Sequence, residues 1–211
     1  MDMTFLNVLL PMMFEGLKLT ILIAVVGITI GFLIGSLCGY LLQSKYKIGK
    51  AIAEVYIWII RATPLMVQAL YGYFVIPKLL GVDIGSTAVG IGVIALNSGA
   101  FISEIVKGAL MSIDPGQKEA GASLGLTSTQ TMIHLVIPPA FKTALFNQFI
   151  ISVKDTALLS AIAVNEITHQ AQAYAALSFK AIPTYTALAA FYLVILSVLI
   201  IVQKQIERKM R

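Results

Sequence analysis

The 211-residue chain is 58% hydrophobic and only 12% charged, with a mean hydropathy of +0.90 and a net charge of +5. Soluble domains carry about 25% charged residues, so water is excluded as the solvent for most of this surface. The cations fall in short clusters between apolar runs, a pattern that leaves no need for nucleic acid as a partner.

A bilayer core takes about 20 apolar residues per helix, and five stretches are long enough, at about 17–42, 51–80, 86–113, 133–164 and 186–203. They predict an all-α integral membrane protein with about five transmembrane helices in a single domain, 1–211. The segment before the first span carries Asp2 and Glu15 without a basic run, which is unlike a cleaved signal peptide. Along the first span, Gly27, Gly31, Gly35 and Gly39 form a small-residue stripe suited to close helix packing. Cys38, the single cysteine, permits neither an intrachain disulfide nor a cysteine metal site.

The second span carries Glu54, Arg61, Pro64 and Gln68, and it is predicted to break at Arg61-Ala62-Thr63-Pro64, because proline lacks a donor and disfavours helix at the residue before it. Tyr71, Tyr73 and Phe74 follow as interface anchors or as a cap for a substrate cation. On the third span, Asn97 and Glu104 are two helical turns apart and share a face, with Ser103 beside them. In the fourth, Lys154-Asp155-Thr156 places three polar residues in succession, which calls for a bend or a packed interior. Counting about 1.5 Å per residue from the loop between the third and fourth spans puts Glu104 and Lys154 about 22 Å above it, and Arg61 to Pro64 about 16 to 21 Å above Lys50. These groups are therefore expected at one shared level, suited to a polar amino acid.

Lys45, Lys47 and Lys50, then Lys118 and Lys142, then Lys204, Arg208, Lys209 and Arg211 mark loop 1–2, loop 3–4 and the C-terminus as cytoplasmic, with the N-terminus outside. His134 is expected at the cytoplasmic edge of the fourth span and His169 in an outer loop, neither with metal-ligand spacing.

Between the third and fourth spans, 114–127 reads as a short amphipathic helix started by Asp114-Pro115 and ended by Gly125. Small residues there suit docking into another protein's groove. The segment resembles the Glu-Ala-Ala loop of ATP-binding-cassette importer permeases, with Glu119-Ala120-Gly121, Gly125 and the distal Val136-Ile137-Pro138 at the motif positions. Gly121 for the second alanine and Ile137 for leucine depart from it. Arg61-Ala62-Thr63-Pro64-Leu65, Gly99-Ala100-Phe101-Ile102-Ser103-Glu104 and Lys154-Asp155-Thr156-Ala157-Leu158 extend the likeness to the polar amino acid permeases of the histidine, glutamine, arginine and opine group.

The resemblance implies a type I importer permease in a prokaryotic inner membrane that pairs with a second copy or a paralogue. It also implies a cytoplasmic ATPase dimer, docked through Gly116, Glu119, Ala120, Gly121 and Gly125, and an extracytoplasmic amino-acid-binding protein. No phosphate loop occurs, since Gly49-Lys50 lacks both the earlier glycine and the hydroxyl residue, so the chain is not itself an enzyme and ATP and Mg belong to the partner ATPase. Expected substrate contacts are Arg61, Asn97, Ser103, Glu104, Asp155 and Thr156, with a basic amino acid leading and glutamine next. A proton-coupled secondary transporter or a non-transporting scaffold are the competing classes.

Overall fold

The computed structural model describes residues 5–111, 123–125, 127 and 137–209. Gly116, Glu119, Ala120 and Gly121 of the expected docking helix, and His134, lie outside the described residues. Gly125 is described, in a turn with φ 77°, the left-handed conformation that favours glycine.

The chain forms α1 (Leu6–Gln43), α2 (Lys47–Ala62), α3 (Leu65–Leu70), a π-helical stretch (Tyr71–Val75), α4 (Ile76–Leu80), α5 (Ser86–Met111) and α6 (Ile137–Asp155). A 3₁₀ stretch (Thr156–Ile162), α7 (Ile167–Ser178) and α8 (Ala181–Lys209) follow. Four helical segments are long and apolar enough to cross a bilayer, and the bent pair that begins with α2 makes a fifth span. The prediction of about five spans matches this.

The bundle is organised by α1 and α5. A Cβ built on Gly27 would meet Ile94 at 2.6 Å, on Gly31 the carbonyl of Ala95 at 2.8 Å, on Gly35 that of Gly99 at 2.7 Å, and on Gly39 Val106 at 2.6 Å. The contacts advance together, so the helices run parallel with their backbones nearly touching. The predicted glycine stripe is thus the seam of the fold, and dispersion between close backbones supplies the attraction that lipid-solvated side chains cannot.

The spans differ from expectation where charge or proline marked their limits. Helix α1 begins at Leu6 rather than near residue 17, because Glu15 and Lys18 neutralise each other one turn apart at 2.6 Å on its exposed face. Helix α8 begins at Ala181, with Pro183 in its first turn, where a missing donor is harmless. The stretch left as an outer loop contains α7, ended by Phe179 at φ 55°.

The start of α7 explains what anchors it. Glu166 is fully buried; it accepts hydrogen bonds from the backbone N–H of Thr168 (2.9 Å) and His169 (2.7 Å) and from the Tyr192 hydroxyl (3.1 Å) of α8. A Cβ on Gly16 of α1 would lie 2.7 Å from the Ile167 nitrogen, so α1, α7 and α8 meet at this carboxyl. Burial pushes its pKa from 4.5 up to about 7, against the opposing pull of those hydrogen bonds, and the neighbouring His169 Nδ1 is itself buried without a hydrogen-bond partner among the described residues.

The folded protein therefore holds a proton that the unfolded chain releases. The stabilising contribution of this group is complete below about pH 4.5 and lost as the pH rises to about 7. Glu166→Gln is expected to remove that pH-dependent difference, and Glu166→Ala to lower stability by about 1–3 kcal/mol by orphaning the α7 amides. Thermal unfolding of detergent-solubilised protein at pH 5 and pH 8, parent against variants, measures both.

Candidate functional site

Helix α2 ends at Ala62 because Pro64 cannot donate and Thr63 is extended (φ −113°, ψ 137°), and the chain turns by 105° into the segment that follows. The break is where the sequence placed it. On α2, Glu54, Ile57, Trp58 and Arg61 recur at helical spacing, and this face lies along the end of α5 that carries Glu104 and Lys107, with Leu42 of α1 closing the third side. Together they line an open cleft of about 410 Å³.

Within it Glu104 stands between two cations, Arg61 at 3.8 Å and Lys107 at 3.7 Å, and the Arg61 guanidinium lies 5.7 Å from the Phe101 ring centroid. Both separations exceed the reach of a direct hydrogen bond, so the charges attract one another while their donors and acceptors stay free. All three side chains are more than a third exposed, which keeps such pairs weak and exchangeable. Glu54 completes the group, itself 3.8 Å from Lys50. The cleft thus offers carboxylates for an ammonium and cations for a carboxylate on opposing walls.

The single shared level of the sequence reading separates into two. The Ser98 and Ser152 hydroxyls meet at 3.0 Å, while Leu145 packs against Ile102 and Val106, so α5 and α6 are antiparallel with Ser98 and Ser152 in register. Glu104 is then about 9 Å to one side of that register and Asp155 about 4.5 Å to the other, roughly 14 Å apart along the bundle. Counting from the loop failed because it set the two helices against loop residues, whereas the Ser98–Ser152 contact fixes them directly; Arg61 meets Glu104 because the α2 face that carries it lies along that end of α5.

Of the predicted set, the structure brings Arg61 and Glu104 together. Asn97 is buried, and Ser103 and Thr156 are fully buried with their hydroxyls donating to the carbonyls of Ala100 and Val153, three residues back. Asp155 closes α6 where it tightens into the 3₁₀ stretch, within one continuous span, and is half-buried. Among the described residues neither it nor Lys154 has an ion-pair partner within 4 Å. Lys107 and Trp58 were missed as site residues. Their signal was present: Lys107 is one turn from Glu104, and Trp58 one turn from Arg61.

A family model described as the binding-protein-dependent transport system inner membrane component matches residues 27–211. The chain is 38% identical to the glutamine transport system permease protein GlnP of Escherichia coli strain K12, over 96% of this chain and 94% of that protein. It is 31% identical to the arginine transport system permease protein ArtQ of Bacillus subtilis strain 168, over 96% and 94%. Among solved structures, an amino acid ABC transporter crystallised with histidines superposes with a TM-score of 0.89 at 32% identity, covering 99% of each chain. The inward-facing MetNI methionine ABC transporter shares the fold, with a TM-score of 0.76 at 19% identity over the full length of both chains.

Proposed function

Because this chain belongs to the family of binding-protein-dependent transport system inner membrane components, we propose that its cleft of opposed charges passes a zwitterionic amino acid with a neutral polar side chain, glutamine first among them. The protein is a multi-pass permease subunit of an ATP-binding-cassette importer for polar amino acids, and ATP is hydrolysed on separate subunits. A substrate-binding protein works with it.

The observation that carries the substrate reading is the position of Glu104 between Arg61 and Lys107. An incoming α-carboxylate takes Arg61 from Glu104, and the α-ammonium takes Glu104 in exchange, so no charge is left unpaired in the cleft. A side-chain amide adds no charge to that exchange, whereas a cationic side chain needs a further carboxylate, and the other one in the cleft, Glu54, already stands 3.8 Å from Lys50. The expectation of a basic amino acid rested on Glu104 and Asp155 at one depth, whereas Glu104 here stands between Arg61 and Lys107, about 14 Å along the bundle from Asp155. One observation favours the basic reading as second: Asp155 is without an ion-pair partner among the described residues, although its level is farther from Glu104 than one amino acid spans.

In the same proposal, two copies or a copy and a paralogue form the pathway as one domain each, in a prokaryotic inner membrane with the N-terminus outside. The 114–127 loop grips the ATPase, with Gly116, Glu119, Ala120, Gly121 and Gly125 as its contact positions. Asn97, Ser103, Asp155 and Thr156 then shape the pathway beyond the charged cleft.

The test is reconstitution with the ATPase and the binding protein, followed by an amino acid screen. Glutamine is expected to give the largest stimulation of ATP hydrolysis and uptake. Stimulation by arginine or lysine but not glutamine would overturn the substrate, and uptake driven by a proton gradient without ATPase would overturn the class.

A further inference from the structure

Turning the chain at Thr63–Pro64 leaves the last carbonyls of α2 without helical donors, in a medium where an unpaired carbonyl is costly. Two side chains answer them. The Thr63 hydroxyl donates to the Ile59 carbonyl at 2.8 Å, and Gln68 Nε2 donates to the Ile60 carbonyl at 2.8 Å and the Thr63 carbonyl at 3.0 Å. The same nitrogen lies 2.9 Å from Thr63 Oγ1, whose proton is already committed to Ile59. Acceptors surround this end of the amide, so its orientation is fixed with the nitrogen inward.

Gln68 therefore reaches back across the break from α3 to the end of α2, one residue from Arg61. The two arms it joins rest on different parts of the protein. Leu65 and Ala69 of α3 pack with Val89, Val93, Leu159 and Ile162, while the far face of α2 lines the charged cleft. The bend angle sets where Arg61 stands relative to Glu104. Gln68 Oε1 is buried without a partner among the described residues, in a residue that also lines a separate cleft of about 570 Å³ with Tyr71 and Gly72 of the π-helical stretch. The amide is held for its donors at the expense of its acceptor.

We propose that Gln68 is a positioning residue for transport: its amide clamps the α2–α3 break and so places Arg61 opposite Glu104. The proposal rests on the reading of that pair as the substrate contact. Gln68→Met preserves length and removes both donors, and Gln68→Glu sets an acceptor against acceptors. The clamp itself is tested in the whole transporter in nanodiscs, with Cys38 replaced by Ser and spin labels at the exposed Ile52 and Leu79, one on each side of the break. The distance distribution is expected to broaden in both variants, and an unchanged distribution overturns the clamp.

Its action through Arg61 is read by a mutant cycle on the KM for amino acid uptake. Gln68→Met is expected to raise KM about tenfold in the parent and less than twofold in an Arg61→Ala background. An equal increase in both backgrounds, or none in either, overturns the link to Arg61. Should Arg61→Ala leave KM unchanged, the substrate contact fails by itself, while the label distances still decide whether Gln68 holds the bend.

Discussion

Glu104→Gln is expected to reduce amino acid uptake by tenfold to a hundredfold, while leaving the amount of protein in the membrane unchanged. A charge-assisted hydrogen bond to a bound ligand is worth about 1.5–3 kcal/mol, and a factor of ten costs about 1.4 kcal/mol. The side chain is more than a third exposed and among the described residues makes no polar contact closer than its 3.7 Å and 3.8 Å ion pairs, so neutralising it removes little stability. Glu104→Lys should be worse, since Arg61 and Lys107 would then face a third cation, and uptake is expected to fall below detection. Arg61→Ala should raise KM by removing the carboxylate contact. Lys18→Gln supplies the control: its pair with Glu15 is closer, at 2.6 Å, but lies exposed on another helix, and its loss is expected to leave uptake unchanged. Uptake of labelled glutamine into proteoliposomes, with ATP hydrolysis measured in parallel, separates lost substrate contact from lost assembly. Parent-level uptake in Glu104→Gln would remove the cleft from the transport pathway.

How far this site was legible in the sequence follows from what each signal encodes. Proline's missing donor is local, so the break after Arg61 was readable to within a residue. The glycine stripe is periodic, so it announced a packed seam and told correctly which face of α1 is inside. The depth of Glu104 against Asp155 was not local. It depends on the Ser98–Ser152 register of α5 and α6, which no residue count contains. Glu166 was passed over for the same reason. In sequence it is one acid in a polar stretch, and only the approach of α1 at Gly16 and of Tyr192 from α8 makes it a buried junction.

Gly35→Val is expected to abolish the folded protein, through the seam rather than the cleft. The Cβ of any side chain at 35 would stand 2.7 Å from the Gly99 carbonyl oxygen and 2.7 Å from Ile102 Cβ, so relief requires moving backbone on α5, not turning a side chain. Overpacking in a tight core costs about 1–3 kcal/mol and more when backbone must shift, a large share of the 5–15 kcal/mol that holds a typical protein folded. Valine adds two methyl groups to that clash, and the neighbouring contacts at Gly31 and Gly39 leave α1 no direction in which to retreat. Gly92→Ala is the matched control. It lies on the same helix as Gly99, a Cβ there meets nothing within 4 Å, and alanine is the better helix former by about 1 kcal/mol. Membrane yield and melting temperature in detergent are expected to collapse for Gly35→Val and to hold or rise for Gly92→Ala. Since α5 carries both Glu104 and Lys107, a seam that tolerated valine would mean that the cleft is positioned by something other than the parallel contact of α1 and α5, and the geometry of the charged cluster would lose its physical basis.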